Sequence, residues 1–344
     1  MSQSIQIKRL TDADCPRWDD FVNAHPAATF FHLADWKKVL ERAFKHKTHF
    51  LFAESGGEIV GTFSLAHVKS LLFGNALISL PFAVYGGVLA ESDEIQQLLE
   101  DKACEIAEKY QVDHLEVRNL QPQRDDWAKK SLHVTFRKEI AADNDENLKN
   151  IPRKQRAVVR KGIKSSLVSE IDDNVDRFYA LYSESVRNLG TPVFSKKYFK
   201  VLKEIFGDQC EVLTITHEGQ PVASVVNFYF RDQVLPYYGG GGMGARKFKA
   251  NDFMYWEVMR RACDKGLKWF DFGRSKKETG SYSFKKNWGF EPEPLHYEFK
   301  LVNSGSVPDL NPLNPKYQFF IKTWKKLPLP VANIVGPHLA KYLG

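Results

Sequence analysis

The feature that most limits how this chain can fold is a repeat inside it, offset by 153 residues at a Tyr-Gly-Gly and by 156 at an arginine. Residues 50–70 (FLFAESGGEIVGTFSLAHVKS) and 211–231 (EVLTITHEGQPVASVVNFYFR) each alternate apolar side chains around a turn, Gly56-Gly57 in one and Glu218-Gly219 in the other. Both predict a strand, a tight turn and a second strand. Each copy then reaches a Tyr-Gly-Gly, at Tyr85-Gly86-Gly87 and Tyr238-Gly239-Gly240. Helices are predicted around 93–110 and 251–265, where apolar residues recur at helical spacing: Leu98, Ala103, Ile106 and Ala107, then Phe253, Trp256, Met259 and Ala262. A short strand carrying an acid and an arginine follows each helix, Glu116 with Arg118 and Asp271 with Arg274. Four matched elements in one order predict two copies of one unit, 1–145 and 146–305, followed by a basic tail, 306–344. The expected class is α/β (α+β), each copy a largely antiparallel sheet packed by helices. A cleft between two such units is the expected ligand site.

Composition narrows the class further. With 344 residues, 43% hydrophobic and 13% aromatic, the chain can bury two cores of ordinary size, which excludes a disordered or collagen-like protein. No apolar run approaches a membrane span, and the amino terminus has no apolar signal-like stretch. Cys15, Cys104, Cys210 and Cys263 are far apart, which argues against structural zinc and a disulfide framework. A cytoplasmic protein is the expectation. His46 and His49 have ligand-like spacing but no acidic or cysteine partner nearby, so no metal is expected. There is no Gly-x-Ser-x-Gly elbow and no Walker loop, which disfavours a serine hydrolase and a P-loop ATPase.

Charge is patterned. The net charge is +7, yet residues 149–164 hold seven Lys/Arg and no acid, and residues 310–344 hold five Lys and no acid, leaving −5 for the rest. A helix from about Pro152 sets Arg153, Arg156 and Arg160 on adjacent turns of one face, with Lys154 alongside and Lys149 ahead of it. Such a face suits phosphates; the plainer alternative is a solvated linker helix. No nucleic-acid-reading motif accompanies it, so DNA is not an expected partner. The run Tyr237 to Gly244 is expected to end a strand and lead, through Arg246, Lys247 and Lys249, into the helix starting near Asn251. Gly239 and Gly240 would let backbone amides approach an anion there, or else simply close a loop. Tyr237 and Tyr238 would line an acyl site or fill the core. Asp271 would orient or deprotonate an acceptor amine and Arg274 hold a phosphate or carboxylate, or the two would brace the strand as a buried pair. The tail mixes Phe319, Phe320, Ile321 and Trp324 with lysines, and Pro328, Pro330 and Pro337 prevent one long helix. It would either wrap the second unit or touch the anionic inner face of the membrane.

Several segments resemble the FemAB-like proteins, which are tandem GNAT-fold acyltransferases. They are Ile151-Pro-Arg-Lys-Gln-Arg156, Leu189-Gly-Thr-Pro-Val-Phe194, Phe272-Gly-Arg-Ser275 and Phe284-Lys-Lys-Asn-Trp-Gly-Phe290. The likeness extends to the FemAB-related subgroup associated with exosortase/PEP-CTERM exopolysaccharide loci. It implies transfer of an activated acyl group to an amine of a cell-envelope, exopolysaccharide or peptidoglycan-type precursor. The donor would be an aminoacyl-tRNA or an acyl-CoA, with no tightly bound cofactor, and the acceptor a small-molecule or lipid-linked glycan precursor. The family's Phe-Lys falls on Phe284-Lys285, and the resemblance implies that the Lys285 ammonium stabilises the developing oxyanion. Two motifs depart from the pattern. The pyrophosphate loop reads Arg246-Lys-Phe-Lys-Ala-Asn251, with lysine at the first glycine, and the amino-terminal Gln-Ser-x-x-Trp reads His32-Leu-Ala-Asp-Trp36. An acetyl-CoA-dependent amino-sugar acetyltransferase and a silent binder of polyanionic glycolipid or a membrane synthase are the competing expectations.

Overall fold

The computed structural model describes residues 4–308 and 315–343, with the side chains of 315–317 excepted. The remaining residues of the expected tail, 309–314 and 344, lie outside the described residues. In chain order the main elements begin with β1 (Gln6–Arg9), β2 (Lys47–Ser55), β3 (Glu58–Ser70), β4 (Gly74–Ser79), α1 (Asp93–Lys109), β5 (His114–Asn119) and β6 (Ala128–Lys130). They continue with β7 (Arg137–Glu139), α2 (Arg153–Ile163), β8 (Leu167–Asp172), α3 (Asp176–Leu189), α4 (Lys196–Phe206), β9 (Cys210–His217), β10 (Gln220–Phe230) and β11 (Gln233–Gly241). Then come α5 (Ala250–Asp264), β12 (Trp269–Asp271), α6 (Gly280–Asn287), β13 (His296–Leu301), α7 (Pro315–Trp324) and α8 (Leu329–Ala340).

The chain forms two compact units, and neither is continuous. One comprises Met1–His133, Pro294–Asp309 and Lys341–Gly344; the other comprises Val134–Glu293 and Leu310–Ala340. The first unit's sheet has the order β1-β2-β3-β4-β5-β13-β6, with the short strand Leu89–Ala90 also on β3. Only β4 and β5 run parallel among its consecutive pairs. Here the structure departs from the expected 1–145 and 146–305 division. Residues 296–301, which that division places in the second copy, lie between β5 and β6 of the first unit. The fully buried Glu298 of β13 fixes that position: its carboxylate accepts from Asn119 Nδ2 at 2.7 Å and from the backbone N–H groups of Gln123 and Arg124 at 3.0 and 3.1 Å.

The second unit repeats the arrangement with the order β8-β9-β10-β11-β12-β7, in which β11 and β12 are the parallel pair. Both predicted hairpins form with the expected turns. Gly56 and Gly57, and likewise Glu218 and Gly219, all have positive φ, as the tight turn that matches strand twist requires. The two helices also form, α1 and α5: Phe253, Trp256, Met259 and Ala262 of α5 are buried as expected, and so are Ala103, Ile106 and Ala107 of α1, whereas Leu98 is exposed and Ile95 and Leu99 are buried instead.

The glycines do not repeat in structural role. Tyr85-Gly86-Gly87 lies beyond the end of β4, whereas Gly239, Gly240 and Gly241 are residues of β11 itself. The expected loop after Tyr238 is therefore strand, and the run into α5 is interrupted by a short helix, Ala245–Phe248, that carries Arg246 and Lys247. Packing explains the glycines: a Cβ on Gly240 would lie 2.7 Å from the Tyr182 Cα of α3, and one on Gly239 would lie 3.2 Å from the Tyr255 hydroxyl of α5. The glycine strand lets a helix close on each face. Gly240→Ala is expected to destabilise the fold by about 1–3 kcal/mol, because backbone rather than a flexible side-chain tip must move. Urea unfolding would measure this; an unchanged midpoint would show that α3 is not seated so closely.

Candidate functional site

The second unit's parallel pair is short. β11 and β12 are in register only at Gln233↔Trp269 and Val234↔Phe270, after which β12 ends at Asp271 while β11 runs on to Gly241 against β10. Ligands in parallel sheets gather at such carboxyl ends. Immediately past β12 the chain turns through Gly273, whose φ of 64° suits glycine, and enters α6, capped by Thr279.

Helix α6 buries one residue, and it is a lysine. Lys285 is 8% exposed, and its Nζ donates to Gly273 O at 2.8 Å and to Arg274 O at 3.0 Å. The Phe136 ring centroid lies 5.5 Å away. An ammonium has three N–H donors; among the described contacts the third has no acceptor. Burial pushes the Lys285 amine down to about 7, with Asp271 opposing that shift and Arg274 adding to it. Phe284 sits beside it in an aromatic cluster, with ring centroids 5.5 Å from Tyr255 and 6.2 Å from both Phe272 and Trp288. Phe284 thus belongs to the aromatic cluster that α6 forms with α5.

Asp271 is 1% exposed and surrounded by donors. It accepts from the Gly273 N–H at 2.7 Å, from Gln233 Nε2 at 3.0 Å and from Thr135 Oγ1 at 3.4 Å. The arginine that faces it across the β12–β7 register is Arg137, Nε at 3.8 Å. Glu116 and Arg118 pair directly, Nε to Oε1 at 2.8 Å. Arg137, Gln233 and Thr135 escaped sequence reasoning because only strand pairing brings them to Asp271. The Gly273 peptide bonds Asp271 through its N–H and Lys285 through its carbonyl, so the acid sets the lysine's position through one residue.

The arginines of α2 form a second group. Gln155, Val159 and Gly162 are its buried residues. Gln155 donates to Asp252, and a Cβ on Gly162 would lie 2.9 Å from the Phe253 Cβ, so α2 lies tightly on α5. Its other side holds Arg153, Arg156 and Arg160, which with Ala157, Lys161 and Lys164 line a shallow concavity of about 340 Å³. Lys154 is exposed but does not line it. Lys149 belongs to a separate short helix, where its carbonyl accepts from Arg156 Nη1 at 2.8 Å. Pro152, just ahead of α2, abuts Gly289 just after α6: a Cβ there would meet its Cδ at 3.0 Å. The basic helix therefore begins against the turn four residues beyond Lys285.

The remaining expected residues lie apart from these groups. Tyr238 is buried; its hydroxyl is 2.9 Å from that of Tyr198, and Tyr182, Phe194 and Phe199 pack around its ring. Burial holds its phenol well above the ordinary value. It is a core residue, whereas Tyr237 beside it is half-buried and leans on Phe228. Arg246 is exposed on the short helix, and Asn251 lies in the first turn of α5 with its Oδ1 where a Gly241 Cβ would fall. His46 and His49 diverge: His46 bonds Lys341 O at 2.7 Å, and His49 packs on Tyr110.

A buried lysine carries a consequence for stability. Its folded-state value is below the unfolded one, so below pH 7 the full penalty of burying an ammonium is present. The penalty is relieved as pH rises from about 7 toward the unfolded value of 10.5. Lys285→Met is expected to raise stability at pH 6 by a few kcal/mol, an advantage that shrinks toward pH 10. Thermal melts of both proteins across that range would measure it; equal melting at pH 6 would show an ammonium already well compensated.

Residues 146–286, which include α2 and Lys285, match the family described as acetyltransferase (GNAT) domain. No curated protein matches the chain significantly in sequence. Among solved structures the chain is similar to FemX, at 15% identity and a TM-score of 0.68 over 92% of this chain and 100% of that one. It is also similar to L-PGS from Bacillus licheniformis, at 11% and 0.56 over 91% and 97%. A tandem GNAT protein from the clavulanic acid biosynthesis pathway aligns at 14% and 0.54 over 88% and 100%. At such identities the likeness is one of fold. The chain therefore has a tandem GNAT-like fold, and its second unit carries the segment that resembles a GNAT acetyltransferase domain.

Proposed function

We propose that the protein is an N-acyl- or aminoacyltransferase that moves an activated acyl group onto an amine of a phosphate-bearing cell-envelope or exopolysaccharide precursor. The observation that carries this reading is Lys285: a buried amine, held by two backbone carbonyls, with one N–H uncommitted among the described contacts. In the reaction the acceptor nitrogen attacks the acyl carbonyl carbon, the C–N bond forms, and the carbonyl oxygen gains negative charge. The third N–H of the Lys285 ammonium donates to that oxygen. The tetrahedral species then expels the thiolate of CoA or the ribose oxygen of tRNA, and the proton lost by the amine balances the one the leaving group takes up. Asp271 keeps Lys285 in place through Gly273. The concavity of α2 supplies arginines, suited to phosphate by their forked donors, against the end of the helix that carries Lys285.

Four measurements test this. A thermal scan with acetyl-CoA at about 100 times its dissociation constant adds about 2.7 kcal/mol, so a rise of several degrees is expected if CoA is the donor. A rise with aminoacyl-tRNA alone reassigns the donor, and no rise with either removes both. Lys285→Ala is expected to lower turnover by about 10²-fold or more. Because the ammonium is the working form, activity should fall as pH rises through about 7; Lys285→Arg, always charged, should lose that fall. A wild-type profile that rises there instead would make the neutral amine the active form. Arg160→Ala is expected to weaken inorganic pyrophosphate binding, with a smaller salt dependence than the parent; equal binding at every salt concentration would remove the concavity from the site.

A further inference from the structure

The two carboxy-terminal helices are turned inside out. Helix α8 buries Ala332, Gly336 and Ala340, its smallest residues at a spacing of four, and a Cβ on Gly336 would lie 2.9 Å from the Val193 N. The face it leaves in solvent is the apolar one: Val331, Ile334 and Val335, with His338 completing the helical stripe. Ile334 is 69% exposed. An ordinary surface helix shows the reverse pattern. Helix α7 presents Phe319, 75% exposed, on one stripe with Lys322 and Thr323, and the exposed Lys326 lies in the turn just after it, while Trp324 is buried and Phe320 stacks on it at 5.3 Å. Leu189, 69% exposed, adjoins this helix, since a Cβ on the next residue, Gly190, would lie 2.5 Å from Ile321 Cγ2.

The helices are nevertheless anchored. Arg187 Nη1 donates to Leu327 O at 3.3 Å and to Lys325 O at 3.4 Å in the segment that joins them, and Asn333 Nδ2 lies 3.4 Å from Ser183 Oγ. Small inward residues fix the pair to its unit while large apolar ones face out, uncovered by any described residue. Contiguous apolar surface of this kind marks an interaction site. Charge identifies the partner: residues 310–344 hold five lysines and no acid, so a second copy of the same face would be repelled. An anionic lipid surface offers both apolar depth and negative charge. No described helix is long and apolar enough to cross a membrane, which suits helices that lie in the headgroup region.

We propose that α7 and α8 dock the protein on an anionic bilayer, with Phe319, Ile334 and Val335 inserted at the acyl boundary and Lys322, Lys325 and Lys326 on the headgroups. The inference does not depend on the acyltransferase reading. The test is flotation of the full chain with phosphatidylcholine vesicles containing about 30% phosphatidylglycerol, against pure phosphatidylcholine. Binding to the anionic vesicles is expected to be at least about tenfold tighter and to weaken with salt. Ile334→Ser with Val335→Ser should reduce it about tenfold, and so, independently, should Lys322→Glu with Lys326→Glu. All four residues are exposed, so thermal melts should remain parental; a lowered melt in the apolar variant leaves the charge variant to decide. Absence of binding to anionic vesicles, or binding that neither variant changes, overturns the proposal. A concentration-dependent dimer that the serine variant abolishes, without vesicle binding, assigns the face to a second copy instead.

Discussion

The Asp271 carboxylate is the point on which the candidate site rests. It lies where β12 ends, in a place too dry to leave a charge unpartnered, and backbone, amide and hydroxyl donors converge on it. Those donors come from three separate segments, so satisfying one acid fixes the end of β12 to β7 and to the start of β11. Gly273 then has no freedom to turn its carbonyl elsewhere, and that carbonyl is one of two that hold Lys285. A buried acid used structurally thus sets the geometry of a buried base.

The lysine's own surroundings pull in two directions. The Phe136 ring and the burial of the side chain keep water away, which raises the cost of the ammonium and, on the proposed reading, strengthens the bond it makes to a developing oxyanion. On the proposed reading, stability and chemistry compete at this position.

Local patterns in the sequence were a good guide to local structure. The hairpins at 56–57 and 218–219, the helices after each Tyr-Gly-Gly, and the helix beginning at Arg153 all form, because each is specified by residues a few positions apart. What the pattern could not show depends on distant pairing. The glycine run was expected as a loop because glycine favours turns, and it is strand because α3 and α5 approach it from either face. Asp271 was expected either to act on an acceptor amine or to brace the strand with Arg274; that Arg137 lies opposite it follows only from the register of β7. Lys285 stood out only through its likeness to a family motif; nothing in KKN announces that the first lysine is buried and the second exposed.

The position of β13 has a bearing on how the molecule is made. Its residues are central to the first unit's sheet, yet they emerge only after nearly all of the second unit. Until they arrive, β5 presents an open edge and β6 has no strand to join, and Asn119 lacks its carboxylate partner. Synthesis from the amino terminus cannot finish the first unit before residues 134–293 of the second are made, so the nascent chain carries an incomplete sheet through that interval. The two halves are duplicates in pattern, yet each waits on residues made late in the chain: β13 for the first, and α7 with α8 for the second.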